Sequence, residues 1–299
     1  MSNENIKLIK NYLNNFTIET TPGVYKKYEE FSSLINKNHS IYITYLPDEK
    51  SKNVIETAKK LKLEGYDVIP HLPSRTILDK LELEKYIGSL SEESGCNKIL
   101  IIGGGGNQKG NISSTMDVLK TDLLSKYKFI EVGVAGHPEG SPDISKEELD
   151  KAIIEKNNFS INADFEMYLA TQFFFEANSL IEWEKHLNSI GNKLNIHAGI
   201  PGPASLKTLI SYAKTCGIGN SIRFLSKQAF NITKLASMNT PDKLIYDLAK
   251  YKNTYKETAL KKMHFYPFGG IKKTSDWLNL LKNSEFFYNS KDQFEILPN

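Results

Sequence analysis

Apolar residues along this chain follow two alternating rhythms. Short dense apolar runs are separated by longer stretches in which apolar positions recur every three to four residues, the spacing of one helix face. A polar helix is expected at the start, over Met1–Asn15. Strands are then expected at Phe16–Pro22, Ser40–Leu46, Asp67–Leu72, Ile99–Ile102, Phe129–Ala135, Phe165–Phe173, Leu194–Ile200 and Met263–Phe268. The helical stretches between them are Tyr25–Ile35, Ser51–Leu63, Thr76–Leu90, Ser113–Ser125, one opening at Ser145, Ser179–Ile190, Ser205–Cys216 and finally Thr274–Leu281. Gly65, Gly191 and Gly217 stand where helices should stop, and Ser145-Lys-Glu-Glu reads as a capping box. Two additional helices, Ser221–Phe230 and Pro241–Tyr255, precede the last strand.

Strands alternating with helices require a parallel sheet, because each connection must cross back over it. Eight such units in about 280 residues fit a closed (βα)8 TIM barrel, an α/β fold, better than an open doubly wound sheet, which is the runner-up. No composition break divides the chain, so residues 1–299 are expected to form a single domain with an N-terminal helix and extra helices before strand eight.

Composition narrows the function. The chain is 40% hydrophobic and 24% charged, with a net charge of +3, and its lysines are interleaved with acids, as in Glu56-Thr-Ala-Lys59-Lys60-Leu-Lys62-Leu-Glu64. No concentrated basic footprint for nucleic acid results. No run approaches about 18 apolar residues, so no membrane span is expected. The first helix lacks the apolar centre of a signal peptide. Cys96 and Cys216 are far apart and have no ligand spacing. A cytoplasmic protein with reduced thiols is expected, in which the sequons Asn111-Ile-Ser and Asn231-Ile-Thr are chance matches.

In a barrel of this kind the chemistry gathers at the C-terminal strand ends. Those ends offer Glu19, then Thr44 and Tyr45, then His71 and Arg75. The Gly103–Gly106 run follows with Asn107 and Gln108, then His137 and Glu139, then Thr171, Gln172, Phe173-Phe174-Phe175 and Glu176, and lastly His264 and Tyr266. Glu19 is an acid inside a strand, where burial would raise its pKa toward that of a working general acid. A carboxylate paired with a lysine or arginine explains it equally well. Gln172 beside three phenylalanines suits an amide that orients a flat ring, although at least one of those rings must belong to the core. His71 is more often a structural residue than a ligand contact, and His197, in mid-strand, reads as packing.

The glycine run reads either as a flexible turn or as a loop where a ligand meets bare backbone. It is not a Walker A loop, for no Lys-Ser/Thr follows, and not a dinucleotide fingerprint, for no helix follows at once. No lysine stands at a strand end for a Schiff base, and no His-x-His occurs on strand one. A mononuclear site from Glu19, His71 and His137 stays open on the residues alone, and no metal is expected.

The residues resemble the methylenetetrahydrofolate reductase family. Phe16-Thr-Ile-Glu-Thr-Thr-Pro resembles its first strand, Val68-Ile-Pro-His-Leu its third, and Val134-Ala-Gly-His-Pro-Glu-Gly-Ser-Pro142 its Ala-Gly-Tyr-Pro-x-Gly-His-Pro turn. Ala170-Thr-Gln-Phe-Phe-Phe-Glu176 resembles the Thr-Gln-Phe-Phe-Phe-Asp signature, the most specific match, and Gly199-Ile-Pro201 echoes Pro-Gly-Ile-x-Pro. The resemblance implies reduction of 5,10-methylenetetrahydrofolate to 5-methyltetrahydrofolate in one-carbon metabolism and methionine biosynthesis. Hydride would pass from NAD(P)H through FAD. It implies Glu19 as the general acid, Gln172 and Tyr212 as folate contacts, and Thr44, His71, Gly104, Gly105, Ala135 and His137 around the cofactor. A folate substrate and a homo-oligomer are the partners expected. The alternatives are a relative acting on another tetrahydrofolate or pterin with an altered or absent flavin, or a folate-binding protein without turnover. This chain departs from the family pattern at several places: His137 stands where the family has a Tyr, and the helix after strand five does not align cleanly. Gly103-Gly104-Gly105 replaces Arg-Gly-Asp, whose Arg helps hold the flavin and whose Asp sits between flavin and pterin, and Ser141 replaces a His. Lys151 and Lys156 are the nearby candidates for the flavin diphosphate.

Overall fold

The computed structural model describes residues 3–28, 30–104, 107–217, 219, 222, 223, 225 and 238–297. Eight strands form a closed barrel: β1 (Thr17–Thr20), β2 (Ser40–Ile43), β3 (Asp67–Pro73), β4 (Lys98–Ile102), β5 (Glu131–Gly136), β6 (Glu166–Phe173), β7 (Asn195–Pro201) and β8 (Leu260–Tyr266). They follow chain order around the ring, and β8 closes on β1. The (βα)8 expectation holds. The principal helices are α1 (Asn3–Asn14), α2 (Ser51–Leu63), α3 (Lys80–Gly88), α4 (Lys146–Ser160), α5 (Ala177–Ser189), α6 (Leu206–Thr215), α7 (Asp242–Thr254) and α8 (Ile271–Asn283). Among the described residues no helix is long and apolar enough to cross a membrane.

The chain packs as two compact units. One comprises Thr17–Gly136 and Ile154–Ala170. Its strands pair in parallel with a register that puts Glu19 beside Tyr42, Tyr42 beside Ile69, and His71 beside Leu100. Paired residues of a parallel sheet share a face, so alternation assigns one set of side chains to one side. Tyr42, Ile69, Leu100, Tyr168 and Ala170 form its buried cluster, against which Ile102 packs. The Tyr42 and Tyr168 hydroxyls hydrogen-bond to each other, which satisfies two phenols that burial would otherwise leave orphaned.

The other unit comprises Met1–Phe16, His137–Ile153 and Thr171–Asn299. Here β7 and β8 pair in parallel, with a register shift between Leu260 and Lys262. Gly199 sits where the β7 backbone comes very close to the end of β6. A Cβ there would lie 2.6 Å from the Gln172 carbonyl oxygen and 2.7 Å from that of Thr171. Phe173, Ala204, Leu206, Leu209, Ala213 and Leu225 form its buried cluster. The Glu184 carboxylate, buried on α5, accepts from Thr258 Oγ1 and from the Ala259 backbone N–H at 2.6 Å, and so pins the entry to β8.

Several element boundaries differ from expectation. Tyr25–Ile35 is not one helix but a short turn of helix at Pro22–Tyr25, capped by Thr21, and a 3-10 turn at Phe31–Ser33. Its apolar spacing serves packing, since Phe31 is buried with its ring against Tyr25 and Tyr66. The helix expected from Thr76 starts at Lys80, where Asp79 accepts from the Glu82 N–H at 2.8 Å. Ser113–Ser125 breaks into Thr115–Leu119 and Leu123–Lys126. A C-terminal hairpin, Phe286–Tyr288 with Phe294–Ile296, has no counterpart in the sequence reading. The helix expected at Ser221–Phe230 lies largely outside the described residues.

Candidate functional site

Strand β1 ends because Thr21 caps a turn whose first position is Pro22; the Thr21 hydroxyl accepts from the Val24 N–H at 3.1 Å. This leaves Glu19 one position from the strand end and 8% exposed. The ladder continues one step past β2 through the Thr44 N–H to the Thr20 carbonyl, at 2.9 Å. Thr44 thereby comes beside Glu19, and its hydroxyl donates to Glu19 Oε2 at 3.0 Å. His71, 4% exposed, places Nε2 3.4 Å from Glu19 Oε1. That is ion-pair distance, yet neither ring nitrogen of His71 makes a hydrogen bond among the described residues. The Tyr42 ring stands edge-on to the imidazole at 6.0 Å, and the Tyr86 hydroxyl fixes the His71 carbonyl at 2.8 Å. The result is a buried carboxyl with one oxygen held by a hydroxyl and the other facing an imidazole. Such an arrangement can hold or give up a proton at a fixed place.

At the β4 exit the Gly103 carbonyl accepts from the Arg75 N–H at 3.0 Å, and the Ile102 carbonyl accepts from the Ser74 hydroxyl. Gly104 has φ +85°, and a Cβ there would lie 2.9 Å from Pro73 Cβ. Only glycine fits that conformation and that approach together. Gly105 lies outside the described residues. At the β5 exit the Ala135 carbonyl receives the Lys156 ammonium at 3.4 Å. Lys156 is 6% exposed, and burial pushes its pKa down to about 8.

In the other unit Gln172 lies at the end of β6, and its buried Oε1 finds no donor among the described residues. The β6 end is rigid. The Gly199 N–H donates to Thr171 Oγ1, and the Tyr266 hydroxyl donates to the Thr171 carbonyl, both at 2.8 Å. Phe174 is fully buried core, as expected of at least one ring in the Phe173–Phe175 run. Phe173 meets Phe268 at 4.6 Å and Tyr266 at 5.6 Å. Tyr212, 42% exposed, stacks on Phe268 at 4.1 Å and 22°. His137 opens the turn after β5, where its carbonyl accepts from the Gly140 N–H at 3.0 Å. Phe268 closes the expected last strand without being nominated for the site; the strand ends at Tyr266, and Phe268, two residues beyond, meets both Phe173 and Tyr212. A cavity of about 410 Å³ opens past β7, lined in part by Glu176, Pro201, Leu209, Lys243 and Asp247. Of the strand-end residues named from the sequence, Phe175 and Glu176 line it while Glu19, Thr44, His71 and Gln172 do not, and Lys243 spends its charge on Asp247 at 3.1 Å. Among the described residues no group of three or more His, Cys, Asp or Glu could hold a metal ion.

The family model of methylenetetrahydrofolate reductase matches residues 20–267. The chain belongs to this family. Among solved structures, its fold is similar to that of an uncharacterized protein from Clostridium thermocellum that binds two copies of 5-methyl-5,6,7,8-tetrahydrofolic acid. That protein is 16% identical, with a TM-score of 0.51, and the match covers 93% of this chain and 97% of the other. Dihydropteroate synthase from Thermus thermophilus in complex with 6HMPPP is 10% identical at a TM-score of 0.47, covering 92% and 94%. At 16% identity the likeness to the Clostridium thermocellum protein is one of fold.

The residues around the β4 and β5 exits do not fit the FAD of methylenetetrahydrofolate reductase. Gly103 stands where the flavin-holding Arg is expected and offers no cation. Arg75, next to it, turns its guanidinium toward the Ser113 carbonyl at 3.4 Å. Lys156 is drawn inward onto Ala135. A diphosphate would forgo charge-assisted hydrogen bonds of about 1.5–3 kcal/mol each.

Proposed function

We propose that this chain reduces 5,10-methylenetetrahydrofolate to 5-methyltetrahydrofolate, with a reduced nicotinamide nucleotide as the source of hydride. The observation that carries this reading is the buried Glu19 carboxyl, held by Thr44 and facing His71. A site that only binds folate gains little from a buried acid, which costs desolvation. A reductase needs one, because opening the five-membered ring of the substrate leaves N10 in need of a proton. Glu19 is the acid that supplies it, and the iminium formed at N5 then accepts hydride.

Family membership supports the folate substrate. So does the Clostridium thermocellum protein, which shares the fold and binds methyltetrahydrofolate. Gln172 fits a pterin contact, since its orphaned Oε1 is an acceptor waiting for a donor such as a ring N–H or amino group. Tyr212, half exposed with one face already against Phe268, offers the other face to an aromatic ring. The test is formation of 5-methyltetrahydrofolate from 5,10-methylenetetrahydrofolate and NADH or NADPH, followed chromatographically. Product in neither case, together with tight folate binding, would leave a binding protein without turnover.

A further inference from the structure

The cation-poor β4 exit bears on how hydride reaches the folate. Among the described residues, its chain neighbours aside, no atom lies within 4 Å of where a Cβ of Gly103 would be, and its φ is not positive. The position could accept a side chain and has none. Of the cations of the same unit about this exit, Arg75 donates its Nε–H to the Ser113 carbonyl, Lys156 turns its ammonium to the Ala135 carbonyl, and Lys109, whose backbone N–H donates to the Arg75 carbonyl, is exposed. Each missing charge-assisted bond weakens anion binding about 10- to 100-fold. A flavin dinucleotide, whose diphosphate the family resemblance places by these exits, loses the most.

We infer that this chain works without a flavin, and that hydride passes directly from the dihydronicotinamide to the folate. The inference rests on the reductase reading above. In the step, Glu19 protonates N10 as its bond to the bridging methylene carbon breaks, which leaves a methylene iminium at N5. The C4 hydrogen of the dihydronicotinamide then leaves with its electron pair and bonds to that methylene carbon. The folate gains an N5-methyl group, the nicotinamide is oxidised to its aromatic cation, and Glu19 recovers its proton from solvent.

The experiment uses full-length protein purified without added flavin. It is assayed with 5,10-methylenetetrahydrofolate and a reduced nicotinamide dinucleotide deuterated at C4, on each face in turn. The inference predicts colourless protein, turnover without FAD, and deuterium retained in the product methyl group from one of the two labelled faces. Hydrogen on a reduced flavin nitrogen exchanges with water, so label lost to solvent, or turnover that requires added FAD, overturns the inference while leaving the reductase reading intact. Absence of methyl product with and without FAD overturns both. Gly103→Arg supplies the structural arm. Restoring the cation is expected to raise FAD affinity at least tenfold, and an unchanged affinity overturns the assignment of the loss to the β4 exit.

Discussion

Lys156 offers a sharp physical test because it is a cation placed where a cation is costly. Its ammonium is 6% exposed and has a carbonyl, not a carboxylate, as its partner. Burial lowers its pKa from the ordinary lysine value of 10.5 to about 8. At 1.36 kcal/mol per pKa unit this corresponds to about 3 kcal/mol by which the charged form destabilises the folded state. The unfolded chain keeps the proton up to pH 10.5 and the folded chain only to about 8. The penalty is therefore full below about pH 8, shrinks as pH rises, and is gone above 10.5. Lys156→Met keeps the aliphatic stem and removes the charge, at the loss of one hydrogen bond worth about 1 kcal/mol. The expected outcome is a gain of about 2 kcal/mol at pH 7, a rise in Tm of about 4 °C. Thermal unfolding followed by circular dichroism at pH 7 and pH 10 measures it, and the gain should shrink at the higher pH. A variant less stable than the parent at pH 7, or equally shifted at both pH values, refutes the reasoning.

Thr44→Val removes the donor to Glu19 Oε2 without changing side-chain shape. It is expected to lower kcat about tenfold while folate Kd stays the same, as the loss of one hydrogen bond to a reacting acid should, and Thr44→Ser should restore most of the rate. Equal rates in the valine and serine variants would show that the hydroxyl has no part in the reaction. Gly199→Ala forces a methyl to within 2.6–2.8 Å of backbone atoms of Thr171 and Gln172, which cannot yield as a side chain would. A destabilisation of about 1–3 kcal/mol is expected, visible as a lower Tm, and an unchanged Tm would mean that β7 and β6 separate freely there.

Much of the fold was legible because a parallel strand buried on both faces is a dense apolar run, and these runs are separated by amphipathic helices. Lys98–Ile102 and Asp67–Pro73 were found nearly to the residue on that basis. What could not be read depends on partners distant in sequence. Strand β8 begins at Leu260, ahead of its densest apolar stretch, because Glu184 on α5 holds Thr258 and Ala259. The C-terminal hairpin depends on Asp242, whose carboxylate accepts from the Phe294 N–H at 2.8 Å. Helix starts were misplaced where a side chain closer to the true first turn wins the cap, as Asp79 does. For the site, strand ends nominated Glu19, Thr44 and His71 one at a time. Only the register, Glu19 against Tyr42 and Ile43 against Pro70, makes them neighbours. The inward turn of Lys156 was invisible too, since a lysine on a helix reads as solvent-exposed until its neighbours are known.

The most direct test of the central claim compares the parent protein with Glu19→Gln, which keeps the size of the side chain and its hydrogen bonding but cannot act as an acid. Rates of 5-methyltetrahydrofolate formation and the folate Kd are measured on both. The parent is expected to form product, and the variant to lose about 100-fold or more in rate, the usual contribution of a general acid, while binding folate within about threefold of the parent. A variant that turns over at the parental rate would contradict the account.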